Sequence, residues 1–264
     1  MTEVQVHGGA IAALSDPLNR LINGPMAEGT THRVHFPQLG MDDFERLCEF
    51  AYSGDYTAPA PTIFSAKSPE LDDSGQELPE AVYKSLHNPA LDADGECHPQ
   101  DRTIKNLFLK WCTPQDRENS VPFKDLDLPR NLKWEDDFGP VLLGHARLYA
   151  FAHIYMIPKL QNTALRKLHC TLTGFSIYKS SYASIVELAR FAYADGVLPN
   201  RQKLPQWARP QIDPLRSLIV DYVALIRMFF AGEQVHRELM EEGGEYPADL
   251  LQAMADFDDV SNLL

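Results

Sequence analysis

LLGHARLYAFAHIYMIPKLQNTALRKL (142–168) reads as a helix, a forced break and a second helix. Leu142, Ala146, Tyr149 and His153 recur at helical spacing and mark one face. Met156-Ile157-Pro158 ends the run, because proline lacks an N–H and clashes with the turn before it. Pro158 is in turn pre-set for a first helical turn and opens the next helix. That helix carries Leu160, Ala164, Leu165 and Leu168 inward, with Lys159, Arg166 and Lys167 outward. Two such apolar faces need cover from another element. FERLCEFAYSGDY (44–56) supplies a candidate: Met41, Phe44, Leu47, Cys48 and Ala51 fall at helical spacing. Asp42 and Asp43 sit in its first turn, where the helix dipole favours acids, and Ser53-Gly54 ends it.

Working outward, Val4 and Val6 alternate with polar neighbours, as do Val34 and Phe36, and both segments are expected to be strands. Between them lie two short helices, Ala10–Leu14 and Leu18–Ile22. The second has Pro17 in its first turn, Ser15 or Asp16 to cap it, and Gly24-Pro25 to stop it. Toward the C-terminus, Ile185, Leu188, Ala189 and Ala192 define a further helix. Leu215, Leu218, Ile219, Tyr222, Val223, Ile226 and Phe229 define an amphipathic one, and Ala248–Phe257 the last. PNRQKLPQWARPQIDP (199–214) is a loop. The stretch 57–140 differs in kind. It holds ten of the nineteen prolines, and few stretches keep any periodicity, IKNLFLKWC (104–112) being the exception. Prolines at that density prevent long helices and central strands, so an irregular acidic insertion is expected, partly disordered over 65–100. The fold class is α+β, mostly α.

With 264 residues and 44% hydrophobic content the chain can bury a sizeable core. Its net charge of −13 disfavours a general nucleic-acid binder. That charge is segmented. Residues 1–56 hold eight acids and three bases, and 57–140 sixteen and nine. Residues 141–232 reverse the balance with four acids and eleven bases, and 233–264 return to nine and one. The acidic tail is therefore expected to fold back on the basic helices. Glu3 stands where a secretory signal wants basic residues, and SLIVDYVALIRMFF (217–230) is too short and too charged to span a bilayer. Four cysteines without a C-x-x-C pair make no disulfide framework.

Chemistry-bearing residues are sparse. No nucleophile elbow, P-loop or dinucleotide fingerprint is present. Cys97-His98, Cys112 and the pair His32 and His35 lack the short paired spacing of a zinc site, so no metal and no cofactor are expected. Cys48, Cys112 and Cys170 read as packed thiols, and His145, His153 and His169 as satisfied histidines of core or rim. Lys159, Arg166, Lys167, Lys179, Arg190, Arg201, Lys203 and Arg209 are basic but lack aromatic interleaving, which makes them a solvated face rather than an RNA-reading patch. The chain is not expected to be an enzyme.

VQVH followed by AIAALS (4–15), PLNRLINGPMAE (17–28), FERLCEFAYSGDY (44–56) and the helix pair at 142–168 resemble, in that order, segments of the BTB/POZ domain. The long proline-rich insertion and the EEGGEYPADLL ending resemble the expanded BTB proteins of filamentous fungi. The resemblance implies a domain order of a first BTB-like part at 1–56, the insertion at 57–140, a closing helix pair at 141–170 and a helical extension at 171–264. It also implies a protein–protein interaction module, in particular a substrate adaptor for a cullin-type ubiquitin ligase in cytoplasm or nucleus. The alternative is a BTB scaffold that oligomerises with itself or other BTB proteins without a cullin. Family members dock the cullin partly through a hydrophobic-x-acid motif, and Met26-Ala27-Glu28 stands at that place. An exposed Met26 could fill a partner's groove while Glu28 steers from the rim; equally, Met26 could close the domain's own core edge. The implied partners are a cullin scaffold, other BTB proteins and a client, with no nucleic acid and no membrane. The family's first helix and strand, which often form the homodimer's swapped interface, would precede Val4, which puts homodimerisation by the usual route in doubt.

Overall fold

A computed structural model describes residues 4–63, 128, 129, 131, 135–175, 177–200, 212–227 and 232–261. The described residues are mostly helical, with a small two-stranded sheet. Its contacts divide it into two units: Met1–Pro59 with Leu143–Leu168, and Ala60–Leu142 with His169–Leu264. The disorder expected over 65–100 and the periodic run 104–112 lie outside the described residues.

The first unit opens with three short helices, α1 (Gly8–Ala12), α2 (Asp16–Asn23) and α3 (Ala27–Thr31), followed by α4 (Met41–Ser53). The Oγ of Ser15 accepts from the Leu18 N–H at 3.4 Å, which satisfies one donor at the start of α2. α4 stops where Gly54 takes a left-handed conformation, φ 78°, and returns its N–H to the Phe50 carbonyl. α5 (Gly139–Ile154) and α6 (Pro158–Thr173) follow the insertion, and the division between the two units falls within both helices. Their junction is a left-handed cap without glycine. Met156 adopts φ 54°, while the N–H of Ile157 reaches back to the Ala152 carbonyl at 2.8 Å. That conformation costs a β-carbon-bearing residue about 1–2 kcal/mol, and burial of Ile157 offsets it with about 1.5–3 kcal/mol. Leu18, Leu47, Phe50, Phe151, Leu160, Ala164 and Leu168 form the unit's core.

Two expectations fail here. Residues 4–7 and 33–36 lie in no strand ladder among the described residues. Alternation at two positions shows only that one side is apolar; a strand also needs a neighbouring backbone. Phe36 is instead an aromatic anchor, with ring centroids 6.0 Å from Phe44, 5.3 Å from Phe151 and 5.5 Å from Tyr155. Lys167, expected outward, is buried.

The second unit contains the sheet, β1 (Thr62–Ile63) antiparallel to β2 (Asp136–Asp137), with Thr62 opposite Asp137. Asp137 Oδ1 accepts from the Gly139 N–H at 2.8 Å and lies 3.3 Å from the Ser184 hydroxyl. A short 3-10 turn, Lys179–Ser181, leads into α7 (Tyr182–Tyr193), α8 (Pro214–Leu225), α9 (Gln234–Glu242) and α10 (Tyr246–Ser261). α8 packs against α7 and α10, and it is buried nearly all round rather than along one stripe: Val220, Ala224 and Leu225 are inside with Ile219 and Val223. The acidic tail does fold back. Glu242 receives Arg190 at 2.7 Å, and Glu245 receives the buried Arg216 at 2.7 Å. Arg216 also donates to the Ala192 carbonyl and lies over the Tyr193 ring, whose hydroxyl donates to Asp249 at 2.8 Å. Among the described residues no helix is long and apolar enough to cross a membrane.

Candidate functional site

The Gly24–Glu28 turn is the segment singled out for partner contact, and its backbone is firmly held. Gly24 closes α2 through its N–H to the Arg20 carbonyl, and Met26 caps α3 in an extended conformation. The Met26 carbonyl accepts both the N–H and the hydroxyl of Thr30, each at 3.0 Å. A β-carbon on Gly29 would lie 2.1 Å from the Gly24 carbonyl oxygen, so only glycine lets α3 turn back this closely. The result is a short, pinned turn from which the Met26 side chain projects, 61% exposed, with Glu28 half-buried in the first turn of α3. Met26 does not close the unit's own core.

A second constellation, which sequence reasoning missed, lies inside the first unit and fastens both ends of α4. At its start, Asp43 is buried and faces Arg46 at 3.4 Å and Arg147 of α5 at 3.5 Å. Burial holds its carboxyl above the usual range, against the opposing pull of the two arginines. At the other end, the Gly54–Tyr56 turn is gripped from two helices. Lys167 of α6, 6% exposed, donates to the Tyr56 carbonyl, lies 2.8 Å from Asp55 Oδ1 and stands over the Tyr56 ring at 4.6 Å. The Tyr56 hydroxyl meets Nδ1 of His145, on α5, at 2.8 Å. His145 is fully buried, and its Nε2 has no hydrogen-bond partner. Burial, then the positive charges of Lys167 and Arg46, push its pKa down to about 3, while burial raises the Tyr56 phenol. The expectation of a satisfied histidine is therefore met at one ring nitrogen and not at the other. A signal for Lys167 was present: position 167 lies seven after Leu160 and three after Ala164, on the apolar side of α6.

Neither constellation assembles catalytic machinery among the described residues. The Tyr56–His145 pair is sealed from solvent, and among the described residues no group of three or more His, Cys, Asp or Glu side chains could hold a metal ion. Burial and Glu45 push the Cys48 thiol up, the opposite of what activates a nucleophilic cysteine. Cys97, His98 and Cys112 lie outside the described residues, as do Arg201, Lys203 and Arg209. Of the basic face, Lys167 is internal and Arg190 is engaged by Glu187 and Glu242, while Lys159 is exposed. Comparison of the chain with family models, curated proteins and solved structures finds no match.

Proposed function

We propose that the chain is a non-enzymatic protein–protein interaction module of BTB type. In this reading it is an adaptor that presents a client to a cullin-type ubiquitin ligase in cytoplasm or nucleus, with Met26 and Glu28 in the cullin contact. One observation carries the reading: a flexible apolar side chain stands exposed on a turn whose backbone is tied by the Gly24 N–H to the Arg20 carbonyl and by Thr30 to the Met26 carbonyl. Such an anchor loses little freedom on docking, because the segment beneath it is already ordered. Support comes from the helical part of the resemblance, α1 to α6, and not from the segments 4–7 and 33–36, which form no strand among the described residues.

The test is retention on immobilised cullin N-terminal domain, wild type against the double variant Met26→Ala/Glu28→Lys, with circular dichroism to establish that both are folded. Loss of an anchor side chain is expected to weaken binding by roughly tenfold or more. Wild type that fails to bind, or a variant that binds equally, refutes the adaptor reading. Self-association of non-binding wild type in light scattering would favour a BTB scaffold instead.

A further inference from the structure

We propose that the Tyr56–His145 pair is an acid-releasable latch: uptake of a proton by His145 frees the Gly54–Tyr56 turn from α5 and loosens the C-terminal end of α4. The argument begins with geometry. His145 is wholly enclosed, and its one hydrogen bond goes to the Tyr56 hydroxyl. A neutral imidazole carries one N–H, so in either tautomer the Nε2 edge is left unpaired; a protonated ring would bury an unpaired N–H with a full positive charge. The charged groups around it make this worse. Lys167 faces it from α6 and Arg46 from α4, and both repel a second cation. The nearby carboxylates, Asp43 on α4 and Asp55 in the turn, are already engaged by Arg46, Arg147 and Lys167. Tyr56, a neutral phenol, completes the surroundings.

The direction follows from linkage. An unfolded histidine titrates near 6.5, whereas folded His145 titrates near 3. Below pH 6.5 the open chain therefore binds a proton that the closed chain refuses, so latch stability is full above 6.5 and falls as the pH drops. Each pH unit in that window lowers the closed-to-open ratio about tenfold. Asp43 works in the opposite sense near the carboxylate range, because its raised pKa favours the folded state on acidification. The cleanest window is thus pH 6.5 to 5.

Native-state hydrogen exchange of the full chain, corrected for intrinsic rates, tests the proposal. Amides of 44–56 are expected to lose protection by roughly thirtyfold between pH 6.5 and 5. His145→Gln, which cannot titrate, is expected to abolish that slope. Tyr56→Phe, which keeps the histidine, is expected to lower protection at every pH while retaining the slope. Flat protection in wild type, or the same slope in His145→Gln, overturns the proposal. Should His145→Gln not fold, the wild-type imidazole decides by NMR. A His145 resonance that titrates near 6.5 while amides 44–56 stay protected also overturns it.

Discussion

Replacing Lys167 with methionine removes one charge and little volume, and the structure specifies what is lost. The Nζ donates to the carbonyl of Tyr56, a residue that is 2% exposed, so the carbonyl is left unpaired. A charge-assisted bond of this kind contributes about 1.5–3 kcal/mol. Its position 4.6 Å from the Tyr56 ring centroid adds roughly 0.5–2 kcal/mol. The ion pair with Asp55 adds little, at most about 1 kcal/mol, because the Asp55 side chain is 62% exposed. Against these stands relief from burying a cation, a penalty of several kcal/mol that the hydrogen bonds now offset. The expected net loss is about 2–3 kcal/mol, between complete loss of the contacts and full relief of desolvation. Urea unfolding followed by circular dichroism measures it from the change in midpoint at constant slope. Lys159→Met, exposed on the same helix, is the control and is expected to change stability by less than about 0.5 kcal/mol. A second readout is specific to the site. With Lys167 gone, the His145 pKa rises toward its ordinary value, and the loss of protection at 44–56 between pH 6.5 and 5 becomes shallower. Stability of Lys167→Met within about 0.5 kcal/mol of wild type would refute the role given to this side chain.

Two further substitutions probe the packing of each unit. Gly144→Ala places a β-carbon 2.5 Å from Cγ of the buried Pro59, and the overpacking is expected to cost about 1–3 kcal/mol in urea unfolding. Arg216→Met strips the Ala192 carbonyl and Glu245 of their shared partner. An expected loss of roughly 2–4 kcal/mol, read from the same transition, separates this buried arginine from a surface cation. The acidic tail supplies Leu239, Tyr246 and Leu250 to the core, so charge reversal at Glu242 is a better probe of tail electrostatics than truncation.

Periodicity was enough to place the helices α2, α4, α5, α6, α7 and α10, and local residue types the stop at Gly54 and the break before Pro158, while the choice of Ser15 over Asp16 as the cap of α2 came from the structure. These are local decisions: backbone conformation, missing donors and the spacing of apolar side chains act within one or two turns. Alternation at Val4 and Val6, or at Val34 and Phe36, was not enough, because a strand exists only where a second backbone lies alongside. The candidate contact at Met26 and Glu28 was legible as a position, while the fact that Met26 points outward was not. That depends on how closely α3 returns to the end of α2 across Gly24 and Gly29.

The sequence by itself determined where most helices begin and end, that the acidic tail had basic helices to meet, and that the charge is divided among segments. Only the tertiary structure decided that Lys167 turns inward, that Tyr56 and His145 meet across 89 positions of chain, and that Arg216 joins α7 to the start of α10. The reason is physical. A lone lysine, histidine or arginine carries no period of its own, and its place is set by which buried carbonyls, rings and carboxylates come within hydrogen-bond distance once the apolar faces have closed.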